Sequence, residues 1–97
     1  YMKRARVDDN QPEIVKAFRS LGWIVAHTHM VGSGFPDLVC SKGGITLLVE
    51  IKDGSKPPSA RKLTIKEQEF HSTWQGHLAI IESVDDVFAI HRSLFLV

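Results

Sequence analysis

Residues 36–52 read PDLVCSKGGITLLVEIK, and this stretch decides the fold of the chain. Two apolar runs flank Gly43-Gly44, and a pair of glycines is a favoured two-residue turn between antiparallel strands. Counting outward from that turn, Asp37 falls directly opposite Glu50. Directly opposed residues of an antiparallel pair point to the same face, with Cβ atoms about 5 Å apart. The sequence therefore predicts a β-hairpin that brings two carboxylates together.

The same hairpin places a lysine beside the two acids. Lys52 lies two residues beyond Glu50, and side chains two apart on a strand share a face. Two close carboxylates repel unless one is protonated or a cation lies between them. A hard divalent cation takes oxygen ligands, so Asp37 and Glu50 are predicted metal ligands. The alternative is a pair of exposed strand-end carboxylates, an arrangement that strands disfavour.

This motif resembles the PD-(D/E)xK nuclease superfamily. Pro36-Asp37 matches the first half of the pattern and Glu50-Ile51-Lys52 matches the second half. The wider sequence resembles the VRR-Nuc family, the virus-type replication-repair nuclease modules. The resemblance runs from about Glu13 to Gly76, and its supporting segments are GFPDL at 34–38, VEIKDG at 49–54, PSARKLT at 58–64 and EQ at 67–68.

The family resemblance implies a fold, an activity and partners. The implied fold is α/β, a small mixed β-sheet flanked by helices with the restriction-endonuclease-like element order αβββαβ, in a single domain over residues 1–97. The implied activity is a metal-dependent DNA endonuclease that uses Mg²⁺ or Mn²⁺. Its DNA partner would be branched, such as a four-way junction, and the protein would be a homodimer. A phage-encoded protein that acts in a bacterial host is also implied.

The resemblance assigns roles to further site residues. The backbone carbonyl of Ile51 would bind metal, Glu13 of the first helix would approach the metal, and Gln68 would border the active site as a catalytic residue. Glu13 could instead be a first-turn glutamate favoured by the helix dipole, and Gln68 could be an exposed helix residue. Lys52 either stabilises charge in the transition state or helps to activate water. We favour the first role, because a bound metal already lowers the pKa of water.

A basic segment follows the predicted metal site. Its cations and one hydroxyl are the predicted phosphate contacts, namely Lys56, Ser59, Arg61, Lys62 and Lys66. Such a segment suits a polyanion, although a solvated surface loop is the common alternative. Further basic residues lie at positions 3–6. The loop Gly32-Ser33-Gly34 has two interpretations: its backbone amides approach a phosphate, or it is a simple turn between strands.

Local signals outside the hairpin predict three helices and two more strands. A helix should begin near Asn10 as its cap and end at Gly22, and another should begin at the capping-box residue Thr64 and end near Gln75. The remaining expectations are a strand over 23–30, loops over 31–35 and 53–63, a strand over 78–81 and a helix over 84–94 capped by Ser83. Helices should cover both faces of the sheet.

Composition limits the class of protein. The 97 residues are 43% hydrophobic, which is enough for one core. Cys40 is the only cysteine, so the chain cannot form an internal disulfide. We expect a buried thiol and a reducing, cytoplasmic setting. No apolar run approaches the length that spans a membrane.

Other residue classes leave alternatives open. The five histidines raise zinc as a candidate, through His27 with His29 or His71 with His77, but no cysteine lies at metal-binding spacing. Trp23 and Trp74 are predicted core residues rather than platforms for stacked bases. The apolar end 94–97 either joins a homodimer interface or docks on its own core.

Two functions compete with the nuclease. One is a catalytically idle nucleic-acid-binding accessory module of the same fold, against which the intact Asp37, Glu50 and Lys52 argue. The other is a purely structural interaction protein, against which the basic segment beside paired acids argues.

Overall fold

A computed structural model describes residues 7–96 of the chain. Its elements in chain order are α1 (Gln11–Ser20), β1 (Ile24–His27), β2 (Leu38–Lys42), β3 (Ile45–Ile51), a 3-10 turn (Pro58–Ala60), α2 (Ile65–Thr73), β4 (His77–Ile81) and α3 (Val84–Phe95). The order αβββαβ is therefore present, followed by one more helix. The basic residues predicted at positions 3–6 and the last residue, Val97, lie outside the described residues.

The four strands form one mixed sheet in the order β1-β2-β3-β4. The first two pairings are antiparallel, and β3 and β4 are parallel. Gly43 and Gly44 both have positive φ, 55° and 81°, which is what the tight turn of a two-residue hairpin requires. Leu38 pairs with Val49, so the register is the predicted one, and the expected α/β fold with helices flanking a small mixed sheet is confirmed.

The core lies between one face of the sheet and the helices α1 and α3. Ile14 and Phe18 of α1 and Val87 of α3 are fully buried against the inward residues of the strands. Trp23, 2% exposed, is a core residue as predicted, and its Nε1 donates to Nδ1 of His91 at 3.0 Å. Cys40 is also buried, and burial raises the pKa of its thiol to about 12.

The helix α2 lies at the opposite face of the sheet. Its residue His71 is beside Glu50, whose side chain alternates with the core residues Val49 and Ile51. The predicted capping box at Thr64 is present. No residue of α2 is buried, so this helix is attached by a few specific contacts rather than by a core of its own.

Two contacts attach α2 to the loop before β2. The rings of Phe35 and Phe70 meet edge to face, with centroids 5.3 Å apart. Gly34 packs against the first turn of α2 so closely that a Cβ there would lie 2.3 Å from the carbonyl oxygen of Lys66. A side chain at position 34 would therefore push α2 away from the sheet.

Several local predictions are wrong, one of them because tertiary contacts override it. Asn10 makes no side-chain cap of α1, since its Nδ2 donates to the carbonyls of Lys52 and Glu82 at 3.0 and 3.1 Å. The strand expected to reach residue 30 ends at His27, where the chain turns back. The loop with two prolines contains the 3-10 turn at Pro58–Ala60, because proline suits the first position of a helical turn.

The second tryptophan is not in the core. Trp74 is 41% exposed and stacks on Phe70, with centroids 5.5 Å apart. At the other end of the chain, Leu94 and Phe95 pack against the core, whereas Leu96 is exposed. Two of the three tail residues that the structure describes therefore dock on their own domain. None of the helices within residues 7–96 combines the length and the apolar character needed to cross a bilayer.

Candidate active site

Backbone hydrogen bonds fix Asp37 immediately before β2, between the end of β1 and β3. Its N–H donates to the carbonyl of Val49 at 2.9 Å, and its carbonyl accepts from the N–H of Thr28 at 2.8 Å. Oδ2 of its carboxylate accepts from the N–H of Ile51 at 2.7 Å. The carboxylate is thus directed across the end of β3, where Glu50 lies.

Glu50 is the most perturbed acid of the described residues. Glu50 lies on β3, an interior strand of the sheet, and is only 2% exposed. Burial, followed by the hydrogen bond and the charge of Asp37 and then by the charge of Glu67, raises the pKa of Glu50 to about 10. The predicted convergence of Asp37 and Glu50 is therefore present, and the pair needs either a proton or a cation.

Lys52 forms an ion pair that the sequence did not indicate. Its Nζ lies 2.8 Å from Oε1 of Glu67 on α2, and both side chains are less than one-fifth exposed. Burial opposes a raised pKa of Lys52, but the hydrogen bond and charge of Glu67 outweigh it. Burial likewise opposes a lowered pKa of Glu67, and the hydrogen bonds from Lys52 and from the N–H of Thr64 outweigh it. Both groups are therefore held in their charged forms.

Three ionisable residues that we did not predict surround this cluster. Asp8 lies beside Asp37 and Lys52; burial and the charge of Asp37 raise its pKa, partly offset by Lys52. The sequence indicates Glu67 as part of a capping box and of the segment EQ at 67–68 that supports the family resemblance, but not as a residue of the site. The sequence indicates His71 only as a candidate zinc ligand; in the structure, burial lowers the pKa of its imidazole. Of these three residues, only Asp8 has a local sequence signal, because acidic residues are favoured near the N-terminus of a helix.

His71 faces the buried acid. Its Nε2 lies 3.6 Å from Oε1 of Glu50, and the His71 side chain is 13% exposed. Within the described residues, neither atom takes part in a hydrogen bond. The two atoms form an open polar contact inside an otherwise paired cluster.

Two residues named by the family resemblance lie away from the cluster. Glu13 is exposed and lines a cavity of about 530 Å³ with Asp53, Arg61 and Asp86, a cavity whose lining does not include Asp37 or Glu50. Gln68 is exposed, and its Nε2 donates to the carbonyl of Leu63 at 3.1 Å. The structure therefore brings Asp8 and Glu67, rather than Glu13 and Gln68, to the motif residues. Ile51 does lie at the site, through its N–H to Asp37.

The predicted phosphate contacts divide into two groups. Lys56, Ser59, Lys62 and Lys66 are exposed. Arg61 instead pairs with Glu82 at 3.1 Å and donates from Nε to the carbonyl of Lys56 at 2.8 Å. Arg61 therefore ties the loop after β3 to the end of β4, and its side chain is already engaged.

A groove opens beside the acids. It has a volume of about 490 Å³, and its lining includes His29, Gly34, Asp37, Lys66 and Glu67. One wall is the glycine-containing loop and the other is the first turn of α2. The groove therefore brings Asp37 and the start of α2, which carries the exposed Lys66, to one surface.

The acids are close but are not arranged as a finished metal centre. Within residues 7–96, no three side chains of His, Cys, Asp or Glu converge tightly enough to form a ready metal-binding group. Comparison with protein-family models, with curated proteins and with solved structures gave no match.

Proposed function

We propose that this protein is a metal-dependent, structure-specific DNA endonuclease. The observation that supports the proposal is the convergence of Asp37, Glu50 and Lys52 at the ends of two paired strands, with Glu50 buried. Two close carboxylates, one of them buried, are electrostatically unfavourable without a cation, and a metal-dependent function would supply that cation.

The donor set fits a hard divalent cation. Asp37 and Glu50 offer carboxylate oxygens, and the carbonyl of Ile51 is a third ligand by family resemblance. Mg²⁺ or Mn²⁺ would suit these oxygens. When bound, such a cation polarises a phosphate and makes water a better nucleophile at neutral pH. The side chains must turn toward it, because no finished centre exists among the described residues.

The chain's own residues supply positioning and charge. Lys52 places an ammonium beside the two acids, where it can stabilise the negative charge that develops on the phosphate. Glu67 holds that ammonium at 2.8 Å and restricts its direction. The carboxylate of Asp37 is itself directed by the N–H of Ile51. Asp37, Lys52 and Glu67 are therefore each held by a backbone hydrogen bond or an ion pair.

Branched DNA is the proposed substrate and a homodimer the proposed assembly. The exposed cations Lys62 and Lys66 suit phosphate contacts, which position a protein without reading sequence. A domain of 97 residues has little surface for reading bases.

Symmetric cutting of a four-way junction takes two sites related by a two-fold axis. Light scattering at micromolar concentration tests the homodimer, and a monomer that still cuts both strands would contradict it.

A cleavage assay tests the activity. Flap, nicked, duplex and four-way DNA would be incubated with the protein in Mg²⁺, in Mn²⁺ and in chelator. We expect metal-dependent cutting that is strongest on the four-way substrate and is lost in Lys52→Ala but retained in Lys16→Ala, an exposed lysine of α1. Salt-sensitive DNA binding without any cutting would instead favour an accessory DNA-binding module.

A further inference from the structure

Two buried polar atoms from different elements face each other without a partner. Nε2 of His71 on α2 lies 3.6 Å from Oε1 of Glu50 on β3, which is beyond the usual length of a hydrogen bond. Neither atom has a hydrogen-bond partner within the described residues. Buried polar atoms are nearly always paired in native proteins, so this contact indicates a ligand that both atoms share.

The separation suits a cation held by both atoms. Two ligand atoms that each lie about 2.1 Å from a metal, at angles near 90–110°, are roughly 3.0–3.4 Å apart. The observed 3.6 Å requires only a small closure. The nearest protein cation cannot take this place, because Lys52 is bound to Glu67 at 2.8 Å.

The backbone holds both atoms in position. Glu50 belongs to the central strand β3, which pairs with β2 on one side and β4 on the other. His71 belongs to α2, which is fixed by the capping box at Thr64 and by the close approach of Gly34. Two separate elements therefore fix the backbone positions of both residues, and their side chains, which with Asp37 form no ready metal-binding group among the described residues, need only turn toward a cation.

We propose that His71 is a nitrogen ligand of the cation that Asp37 and Glu50 hold. Imidazole nitrogen favours transition metals, whereas Mg²⁺ prefers oxygen ligands alone. A mixed nitrogen and oxygen set selects Mn²⁺ over Mg²⁺. This inference rests on the proposed function, because it concerns the same metal site.

Pulsed electron paramagnetic resonance of the full chain loaded with Mn²⁺ tests this ligand directly. A coordinated imidazole gives a ¹⁴N coupling to the metal, and the coupling changes when histidine is labelled with ¹⁵N. We expect both in the wild-type protein, loss of the coupling in His71→Gln, and its retention in the matched control His77→Gln, an exposed histidine at the start of β4. A wild-type protein that shows no nitrogen coupling, or that binds no Mn²⁺, overturns the proposal without recourse to any variant.

Calorimetric titration tests the selectivity. We expect His71→Gln to weaken Mn²⁺ binding by about tenfold or more and to change Mg²⁺ binding by less than about twofold, since only the nitrogen ligand is lost. An equal loss for both metals would overturn the proposal.

The two proposals can fail separately. Nitrogen coupling without DNA cleavage would contradict the nuclease function but not His71 as a metal ligand. Mn²⁺-dependent cleavage without nitrogen coupling would contradict only His71 as a ligand.

Discussion

Nζ of Lys52 lies 2.8 Å from Oε1 of Glu67, so the lysine of the strand motif is held by a carboxylate from the second helix. Both side chains are largely shielded from solvent, and an ion pair of this kind fixes direction as well as charge. The chemistry of the strand therefore depends on a helix that has no buried residue of its own.

Replacing Lys52 by alanine should abolish most cleavage. Loss of one charge contact in the transition state costs ~3 kcal/mol, a factor of about one hundred in rate. Single-turnover cleavage of a four-way substrate measures the effect, with Lys16→Ala as the control. Metal binding should remain, because the two acids are unchanged. Wild-type turnover in Lys52→Ala would show that the site lies elsewhere.

Replacing Glu67 by alanine should reduce both stability and cleavage. The carboxylate accepts the N–H of Thr64 at 2.8 Å as well as binding Lys52, and half of a capping box contributes about 1 kcal/mol. Urea unfolding measures the first effect and the cleavage rate the second. Glu69→Ala, on the exposed side of the same helix, should change neither quantity. Equal behaviour of the two variants would contradict a positioning role for Glu67.

The metal-free protein should lose stability as the pH rises. The unfolded chain ionises Glu50 near its ordinary pKa of 4.5, whereas burial and Asp37 raise the folded pKa to about 10. The folded state therefore binds more protons between these values, and the free energy of unfolding falls as the pH rises through that window. Glu50→Gln stays neutral, so it should be more stable than wild type at pH 8 and similar to it at pH 4.

Urea unfolding in chelator, repeated from pH 4 to pH 9, measures this difference. Glu69→Gln is the matched control, because Glu69 is exposed, and its profile should follow that of the wild type. Parallel profiles for wild type and Glu50→Gln would mean that Glu50 does not retain its proton on folding.

The exposed lysines and Arg61 should affect DNA binding differently. Lys62→Ala with Lys66→Ala should lower the log–log salt slope of DNA binding by about two, since each phosphate contact contributes roughly one unit. Arg61→Ala should leave the slope unchanged, because its guanidinium is paired with Glu82. The Arg61→Ala variant should instead lose at most about 1 kcal/mol in free energy of unfolding, which is typical of a partly exposed ion pair. Fluorescence anisotropy across a salt series measures the slopes.

Replacing Gly34 by alanine should displace the second helix. A Cβ there would lie 2.3 Å from the carbonyl oxygen of Lys66, and φ is +83°. Gly32 has a similar φ of +75° but open space around it, so Gly32→Ala isolates the backbone strain of roughly 1 kcal/mol. We expect Gly34→Ala to unfold at clearly lower urea and to cut DNA more slowly. Equal stability of the two variants would contradict the close contact.

Local signals were sufficient for the scaffold and for part of the site. The Gly43-Gly44 turn determines the register of its hairpin, and that register alone brings Asp37 to Glu50. The capping box at Thr64 similarly marks the start of α2. Each of these features depends on residues close in sequence, and such features are the ones that a sequence can predict.

The other residues of the site depend on how α2 docks, which no local pattern encodes. Glu67 and His71 reach the strand motif only because Gly34 and Phe35 hold the helix over that face. Gln68, one position along, points out to the carbonyl of Leu63 instead. Asn10 has a capping residue's identity but bonds to distant carbonyls. In each case a contact across the fold competes with the local preference and prevails.

The buried thiol of Cys40 makes the protein convenient for chemical labelling. Its side chain is fully enclosed and its pKa is raised to about 12, so thiol reagents added to the folded protein should leave it unmodified. Because it is the only cysteine of the chain, a new cysteine at an exposed position such as Ser59 would be the single reactive site. A fluorophore or a photo-crosslinker attached there would map the path of bound DNA without any change to the core.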